Sequence, residues 1–247
     1  MSITHKAYTI GLMLTIFVGP AFSQNLARYS DEFNGDELGA EWQLFNPKMA
    51  DIKLEGGQLK ITPLMRIAWF NGRVGPALFK RVRGDFSLTT RIKVRRASDE
   101  LIPTAPFYQL AGLIARNPDS DNTVEEDWVL TVVGDQGGYW TNETKDTRKN
   151  LSRYHGRNTG RLHADADIRL CRVGQRFGMY IREIGEQNWI LESLFDRTSH
   201  PMPEELQVGP VAYANTNDFD VVGIFEWIRF EAVDSIADCL TNNESDI

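Results

Sequence analysis

The chain has 247 residues, and its 27 basic and 34 acidic residues give a formal net charge of −7. This balance argues against nucleic acid as the main partner, because phosphate binding needs a basic surface. The length suits one domain with a substantial core. Two cysteines, Cys171 and Cys239, are too few for a disulfide-based scaffold, and whether they pair stays open because a sequence does not give their Cα separation.

The first residues have the order of an export signal. Lys6 precedes an apolar run at residues 10–18, and small residues follow around Ser23, where we expect cleavage. The run is shorter than the about 20 residues of a membrane-spanning helix, so we predict no span and a secreted, periplasmic or cell-surface protein. An uncleaved N-terminal anchor is the alternative. The predicted divisions are a signal peptide at 1–23, a β-sandwich domain at 24–235 and a C-terminal tail at 236–247.

A period of two marks the best-defined strand. Apolar and polar side chains alternate over residues 86–95, which is typical of a half-buried antiparallel strand. Earlier, Glu55-Gly56-Gly57-Gln58 separates residues 52–54 from 59–61, and adjacent glycines permit the positive φ of a tight turn. The sequence therefore predicts a hairpin followed by a long strand.

Residues 110–115 and 128–133 are apolar at successive positions, which indicates central strands covered on both faces. Short strand patterns then recur between Gly, Pro and Asn breaks, at residues 168–173, 177–182, 189–195, 208–214 and 224–230. The first three of these predict a meander. Many short strands without a strong amphipathic helix predict an all-β fold, an antiparallel two-sheet jelly-roll sandwich.

Several motifs, taken in chain order, carry a resemblance to a known superfamily. They are Asp31-Glu32-Phe33-Asn34-Gly35 with Leu38 and Trp42, the hairpin at 54–59, Gly84-Asp85-Phe86, the run at 109–116, Asp127-Trp128, Arg169-Leu170 and the run at 225–230. Over residues 29–231 the chain resembles the concanavalin A-like lectin/glucanase superfamily. Within it, the chain is similar to small secreted bacterial domains called regulation-of-enolase-like or laminin G-like. The resemblance implies two curved sheets with the first and last strands close together, but it does not choose among sugar-binding modules, glycoside hydrolases and polysaccharide lyases.

Catalytic patterns are incomplete. The alternating Glu and Asp residues of the glucanase branch are absent, and the nearest acidic run, Glu125-Glu126-Asp127, has consecutive residues that point to opposite faces of a strand. A lyase needs a Tyr or His to move a proton, for which Tyr108-Gln109, Tyr154-His155 and His163 are candidates. Histidines among Gly, Asn and Arg residues are more commonly exposed loop residues, and the same holds for His200. We therefore assign no catalytic residue.

Aromatic residues interleaved with polar ones form the best candidate site. Sugar binding needs exposed rings that stack on pyranose faces and polar groups that hold hydroxyls. The predicted carbohydrate-binding residues are Tyr108, Arg116, Trp128, Tyr139, Trp140, Asn142, Glu143 and Tyr154. For any single ring the alternative is core packing or a hairpin edge. Trp42, Trp189 and Trp227 lie in strand patterns and are expected in the core.

Basic residues cluster locally although the chain is acidic overall. They are Lys80, Arg81, Arg83, Arg91, Lys93, Arg95 and Arg96. The cluster predicts either a solvated sheet face or a surface for an anionic polysaccharide, since guanidinium groups pair with carboxylate or sulfate.

A structural calcium ion is a further expectation from the resemblance, because related sandwiches often carry one near the chain ends. Its candidate ligands are Asp31, Asn34, Asp36, Asp218 and Asp220. Ordinary turn chemistry explains the same residues, so we predict no cofactor.

The sequence thus favours a secreted, non-catalytic carbohydrate-binding domain whose partner is a polysaccharide or glycan. The alternatives are a glycoside hydrolase or polysaccharide lyase with an unrecognised site, and a cell-surface structural or protein-interaction module. A face with aromatic rings and no carboxylate pair would favour binding, whereas two carboxyl groups about 5 to 9 Å apart in a groove would favour hydrolysis.

Overall fold

A computed structural model describes residues 25–104, 106–120, 125–158 and 164–241. The predicted signal peptide, residues 1–23, lies outside the described residues. The strands of the described part are β1 (Gln43–Phe45), β2 (Ala50–Leu54), β3 (Leu59–Pro63), β4 (Ala77–Arg83), β5 (Phe86–Arg95), β6 (Gln109–Arg116), β7 (Trp128–Asp135), β8 (Trp140–Arg148), β9 (Leu151–Asn158), β10 (Ala166–Val173), β11 (Arg176–Arg182), β12 (Ile190–Asp196), β13 (Glu205–Ala214) and β14 (Val222–Glu231). Three short 3-10 helices complete them, at Leu26–Tyr29, Pro47–Met49 and Asp238–Leu240. None of the helices in these ranges is long and apolar enough to cross a membrane.

The strands form two antiparallel sheets of seven strands each. We call the sheet with the order β1-β4-β13-β6-β7-β8-β9 the groove sheet, and the one with the order β12-β11-β10-β5-β14-β3-β2 the back sheet. The two sheets confirm the predicted all-β sandwich of jelly-roll type.

The apolar patterns of the sequence predict their strands correctly. The hairpin is β2 and β3, in which Leu54 faces Leu59 across the turn. The predicted meander is β10, β11 and β12, which are neighbours in the back sheet. Strands β6 and β7 are buried along their whole length. In each of them, alternate residues pack between the sheets and against a second apolar cluster on the outer face of the groove sheet.

Strands β1, β4, β8 and β9 have no counterpart in the sequence-based prediction. Strand β8 is the most unexpected, because its polar residues from Thr141 to Thr147 are all buried. Hydrogen bonds and ion pairs, rather than apolar contacts, satisfy most of these side chains, so hydrophobic periodicity gives no indication of them.

The two ends of the described chain lie on the back sheet. Asp31 and Ile228 exchange backbone hydrogen bonds of 2.8 Å, so the first segment lies beside β14, as the resemblance implies. Cys171 and Cys239 form a disulfide with Cα atoms 6.2 Å apart, which settles the pairing that the sequence left open. The bond holds the segment around Asp238–Leu240 over Tyr180 and Trp189, on the outer face of the back sheet.

Candidate functional site

A pocket of about 240 Å³ opens on the outer face of the groove sheet. It lies where β6, β8, β9 and β13 meet the connection between β3 and β4. The lining residues are Ala68, Phe70, Arg73, Tyr108, Leu110, Gln136, Glu143, Lys145, Tyr154, Tyr213 and Asn215.

The floor of the pocket follows from the alternation of side chains along strands. Glu143 and Lys145 are two residues apart on β8, so both point to the outer face. Neighbouring Val132 and Leu130 of β7 pair with them and belong to the outer apolar cluster, which fixes the direction. Two ionisable groups are therefore placed on an otherwise apolar floor.

Glu143, Lys145 and Tyr213 form one buried network. The Lys145 ammonium lies 2.5 Å from Glu143 Oε1, and their side chains are only 6% and 3% exposed. Lys145 Nζ also donates to the Tyr213 hydroxyl (3.0 Å) and to the carbonyl of Trp69 (2.8 Å). Tyr213 in turn donates to Glu143 Oε1 (3.2 Å). The three acceptors around Nζ match the three donors of an ammonium group.

Burial shifts the pKa of two members of this network. The pKa of Lys145 is lowered, chiefly because burial disfavours the charged form, and Glu143 opposes this effect. The pKa of Tyr213 is raised well above its ordinary value, first by burial and then by the adjacent Glu143 charge. Tyr213 therefore stays protonated and acts as a hydrogen-bond donor.

Glu143 lines the pocket, and only one of its two carboxylate oxygens is held by described neighbours. Both of its contacts in the described part of the chain, with Lys145 and Tyr213, use Oε1. Oε2 has no hydrogen-bond partner among the described residues, and Glu143 lines the cavity. The result is a fixed, charged acceptor that faces a ligand-sized space.

Residues 69–73 form the wall beside this floor. Lys145 holds the Trp69 carbonyl, and Asn71 and Ser152 exchange hydrogen bonds of 2.6 and 3.0 Å that join the wall to β9. Phe70 and Arg73 exchange two backbone bonds across the turn. These contacts fix the backbone from which the Arg73 side chain reaches the pocket.

Tyrosines form the opposite rim. Gln136 donates to the Tyr154 hydroxyl (2.8 Å) and accepts from the Tyr139 hydroxyl (3.1 Å), so one amide orients both rings. A Cβ at Gly156 would lie 2.6 Å from the Gln136 side-chain oxygen, which explains why a glycine stands there. Tyr154 is 51% exposed and Tyr139 38% exposed.

Tyr108 completes the rim on an unusual backbone. Phe107 and Tyr108 have φ values of 74° and 54°, a conformation that L-residues rarely adopt. Asp135 accepts the Phe107 amide (2.7 Å), and the Tyr108 carbonyl accepts the Asn215 amide (2.9 Å). Such strain is commonly found at functional sites, where the surrounding contacts hold the chain in place.

The structure brings four of the predicted site residues together. Tyr108, Glu143 and Tyr154 line the pocket. Tyr139 is joined to Tyr154 through Gln136, and its pKa is raised, first by burial and then by Tyr154 and Tyr108.

The prediction for Trp128 and Arg116 is corrected by their burial. Trp128 is 0% exposed and packs edge-on against Trp69 at 5.5 Å between ring centres, so it cannot stack on a sugar. Arg116 is 2% exposed, and its Nε and Nη2 donate to the two carboxylate oxygens of Glu126 at 2.9 and 2.6 Å. Both residues are structural.

Trp140 and Asn142 lie on the wrong face of β8. They alternate with Glu143 and Lys145, so they point between the sheets. Trp140 packs against the core there. Asn142 is 1% exposed and accepts a weak hydrogen bond of 3.5 Å from Thr131. Neither can reach a ligand in the pocket.

The other catalytic candidates are placed elsewhere. Glu126 pairs with Arg116, and Asp127 pairs with the fully buried Arg197 and lies 3.4 Å from His200. Gln109 is buried and accepts the Asp220 amide. His155 follows Tyr154 on β9, so its side chain points to the opposite face of the strand, away from the pocket. His163 lies outside the described residues. Trp42, Trp189 and Trp227 are buried, as expected.

The predicted basic cluster is not one surface. A turn at Gly84, with φ of 78°, takes the chain from β4 in the groove sheet to β5 in the back sheet and so divides the cluster. Most of its members have acidic partners: Arg81–Glu205, Arg83–Glu204, Arg91–Asp167, Lys93–Glu226 and Arg95–Asp165. Lys80 is buried over Trp42. These pairs cancel the charge that an anionic polysaccharide would need.

Two of the five residues proposed for calcium, Asp31 and Asp220, have side-chain oxygens that accept hydrogen bonds from protein donors. Asp31 accepts the Phe33 amide and the Trp42 indole, and Asp220 accepts the amide and hydroxyl of Ser98. No cluster of three or more His, Cys, Asp or Glu that could hold a metal ion occurs in the described ranges.

Sequence reasoning missed the residues that complete the pocket. Phe70 and Arg73 belong to a connection without a strand pattern, and Tyr213 lies far along the chain on β13. The spacing of Glu143 and Lys145 could have indicated that both residues belong to one site. Residues two apart share a face once β8 is recognised as a strand.

Comparison with known proteins identifies the fold. No protein-family model and no curated protein sequence matches the chain. A functionally unknown protein from Saccharomyces cerevisiae aligns with a TM-score of 0.61 at 16% identity, over 78% of this chain and 97% of that chain. GH43 BlXynB from Bacillus licheniformis aligns with 0.64 at 15%, over 83% and 39%. A xylan beta-1,4-xylosidase from Bacillus halodurans C-125 aligns with 0.60 at 14%, over 82% and 38%.

This chain spans about two fifths of the length of the two enzymes and nearly all of the yeast protein. At such low identities the likeness concerns the fold alone. The chain therefore shares a jelly-roll β-sandwich that also occurs in glycoside hydrolases.

Proposed function

We propose that this protein binds carbohydrate in the pocket on the groove sheet and does not cleave it. The observation that carries the proposal is the arrangement of Glu143. Lys145 and Tyr213 hold one of its carboxylate oxygens, and the residue lines a cavity rimmed by exposed tyrosines.

The chemistry of the pocket suits a sugar ring. Tyr108 and Tyr154 offer aromatic faces for C–H-rich pyranose surfaces, while Glu143 Oε2 accepts hydroxyl hydrogens. The side chains of Gln136 and Asn215 add amide groups. The volume of about 240 Å³ is below the roughly 300 Å³ at which sites for drug-sized ligands begin, so it suits one sugar ring better than a long stretch of chain.

Three features support binding over catalysis. Among the described lining residues Glu143 is the single carboxylate, whereas glycoside hydrolysis uses two. The donors of Lys145 are all engaged. The raised pKa of Tyr213 keeps this hydroxyl protonated, so the group is not available as a general base. The fold supports a carbohydrate role by analogy, and we propose that the chain is one of the small regulation-of-enolase-like or laminin G-like members of the concanavalin A-like superfamily.

The test is a glycan array with the purified protein, followed by titration calorimetry on whichever glycans it retains. We expect at least one glycan to bind. Replacing Tyr154 with alanine should weaken that binding about tenfold, because a central aromatic contact is lost. Tyr154→Phe keeps the ring and should bind within about threefold of the wild type, since it loses mainly the bond to Gln136.

Leu151→Ala is the matched control, because Leu151 is 71% exposed on the same strand and does not line the pocket. A protein that retains no glycan would refute the proposal. Release of shortened products from a retained polysaccharide would refute its non-catalytic part and favour the hydrolase or lyase alternative.

We also propose that the protein is exported and cleaved near Ser23. The Cys171–Cys239 disulfide supports this, because such bonds persist mainly in oxidising compartments outside the cytoplasm. Mass spectrometry of the protein recovered after secretion should find an N-terminus at or near Gln24. Recovery of an intact N-terminus from the cytoplasmic fraction alone would contradict it.

A further inference from the structure

Arg73 differs from the paired bases of the predicted basic cluster. It lines the pocket, is exposed, and has no side-chain partner among the described residues. Its charge lies close enough to Lys145 to lower the pKa of that residue. A guanidinium group that lies beside a binding cavity and has no carboxylate partner of its own can pair with an anionic ligand.

The charged residues that line the pocket leave a net positive charge. Lys145 and Glu143 cancel each other at 2.5 Å, so Arg73 leaves one positive charge in excess among the described lining residues. Arg66 lies at the edge, where it donates to the Asn217 side chain (3.1 Å) and approaches Asn215 at 3.5 Å. Both partners of Arg66 are neutral amides. Arg66 therefore adds a second guanidinium group near the pocket, through its contact with the lining residue Asn215.

The position of Arg73 is built into the fold. The two backbone bonds between Phe70 and Arg73 close the turn, and the exchange between Asn71 and Ser152 fixes it to β9. A Cβ at Gly72 would lie 3.0 Å from the Asn150 side-chain oxygen, so the turn approaches the β8–β9 connection closely. The Arg73 side chain thus extends from a fixed backbone and lines the pocket together with Tyr108 and Tyr154.

We propose that the pocket selects a sugar that carries a carboxylate, that is, a uronic acid residue, with Arg73 as the group that pairs with it. This inference rests on the proposed function. Arg73 holds the carboxylate at the mouth, the Glu143 oxygen accepts ring hydroxyls at the floor, and the tyrosines pack on the ring. The anion preference resides in this one guanidinium and not in the strands β4 and β5.

The experiment compares uronate polymers with their neutral counterparts. Polygalacturonate, alginate and hyaluronan are each titrated beside their carboxyl-reduced forms, which keep the sugar chain and lose the charge. Neutral polysaccharides and dextran sulfate are included. We expect at least one uronate polymer to bind about tenfold or more tightly than its reduced form, and the preference to diminish as salt is raised.

Variants assign the preference to Arg73. Arg73→Gln should remove most of the tenfold difference between a uronate polymer and its reduced form. Arg153→Gln makes the same charge change at an exposed residue of β9 that alternates with Tyr154 and faces away from the pocket, so the preference should persist.

The outcomes separate this inference from the proposed function. Equal binding of uronate and reduced polymers, or a preference that survives in Arg73→Gln, would overturn the inference while binding itself stands. Tighter binding of dextran sulfate than of every uronate polymer would show that the pocket prefers sulfate to carboxylate. That result would also overturn the inference. Failure to bind any neutral or acidic glycan would refute the proposed function.

Discussion

Replacing both Cys171 and Cys239 with alanine is expected to lower the free energy of unfolding by about 4 kcal/mol. The two cysteines are 68 residues apart, and a cross-link that closes so long a loop removes much of the conformational freedom of the unfolded chain. The bond also holds the Cys239 carbonyl where Arg169 donates to it at 2.7 Å. Equilibrium denaturation in urea, followed by tryptophan fluorescence, measures the change.

The reduced wild-type protein is the internal control. It should unfold near the midpoint of the double-alanine variant, and the variant should be insensitive to reductant. Because the disulfide lies on the outer face of the back sheet and the pocket on the outer face of the groove sheet, glycan affinity should be unchanged while the protein is folded. A variant as stable as the oxidised wild type would contradict the prediction.

Most strands stabilised by apolar contacts were predictable from the sequence, with the exception of β4. The alternation in β5 and the continuous apolar runs of β6 and β7 are consequences of burial on one or two faces, and the structure confirms both. The glycine pair between β2 and β3 marks a turn for the same local reason, since both residues have positive φ.

Strand β8 was not predictable in this way. Its buried side chains are polar, and several are satisfied by partners that are distant in sequence. Asp146 accepts from Arg197, and Thr144 shares a hydrogen bond of 2.6 Å with Ser193. A linear sequence shows the charges of this strand but not their partners, so it resembles an exposed segment.

Only part of the candidate site was predictable, because some of its features are local in the sequence and others arise from contacts between distant residues. The tyrosines at its rim stand in polar surroundings, which is a local feature of the sequence. Trp128 stands in similar surroundings, yet Trp69 covers it, and only the three-dimensional arrangement shows this. Tyr213 and Arg73 meet Glu143 through sheet order and a long connection, which no local pattern encodes.

Replacing Lys145 with methionine is expected to lower the free energy of unfolding by about 3 to 5 kcal/mol. The substitution keeps most of the volume but leaves the Glu143 carboxylate buried without its cation, at 3% exposure. It also removes the donor to the Trp69 carbonyl, which holds the wall of the pocket. Urea denaturation gives the stability, and titration with a retained glycan gives the affinity.

The double variant Glu143→Gln/Lys145→Met separates the structural role of the pair from its role in binding. With both charges removed, no uncompensated ion remains, and stability should recover to within about 1 to 2 kcal/mol of the wild type. The glycan affinity of the double variant should be about tenfold weaker than that of the wild type, because a neutral amide replaces the charged carboxylate of Glu143 that lines the cavity. A double variant that binds like the wild type would show that Glu143 only balances Lys145, and the sugar would then be held by the rim alone.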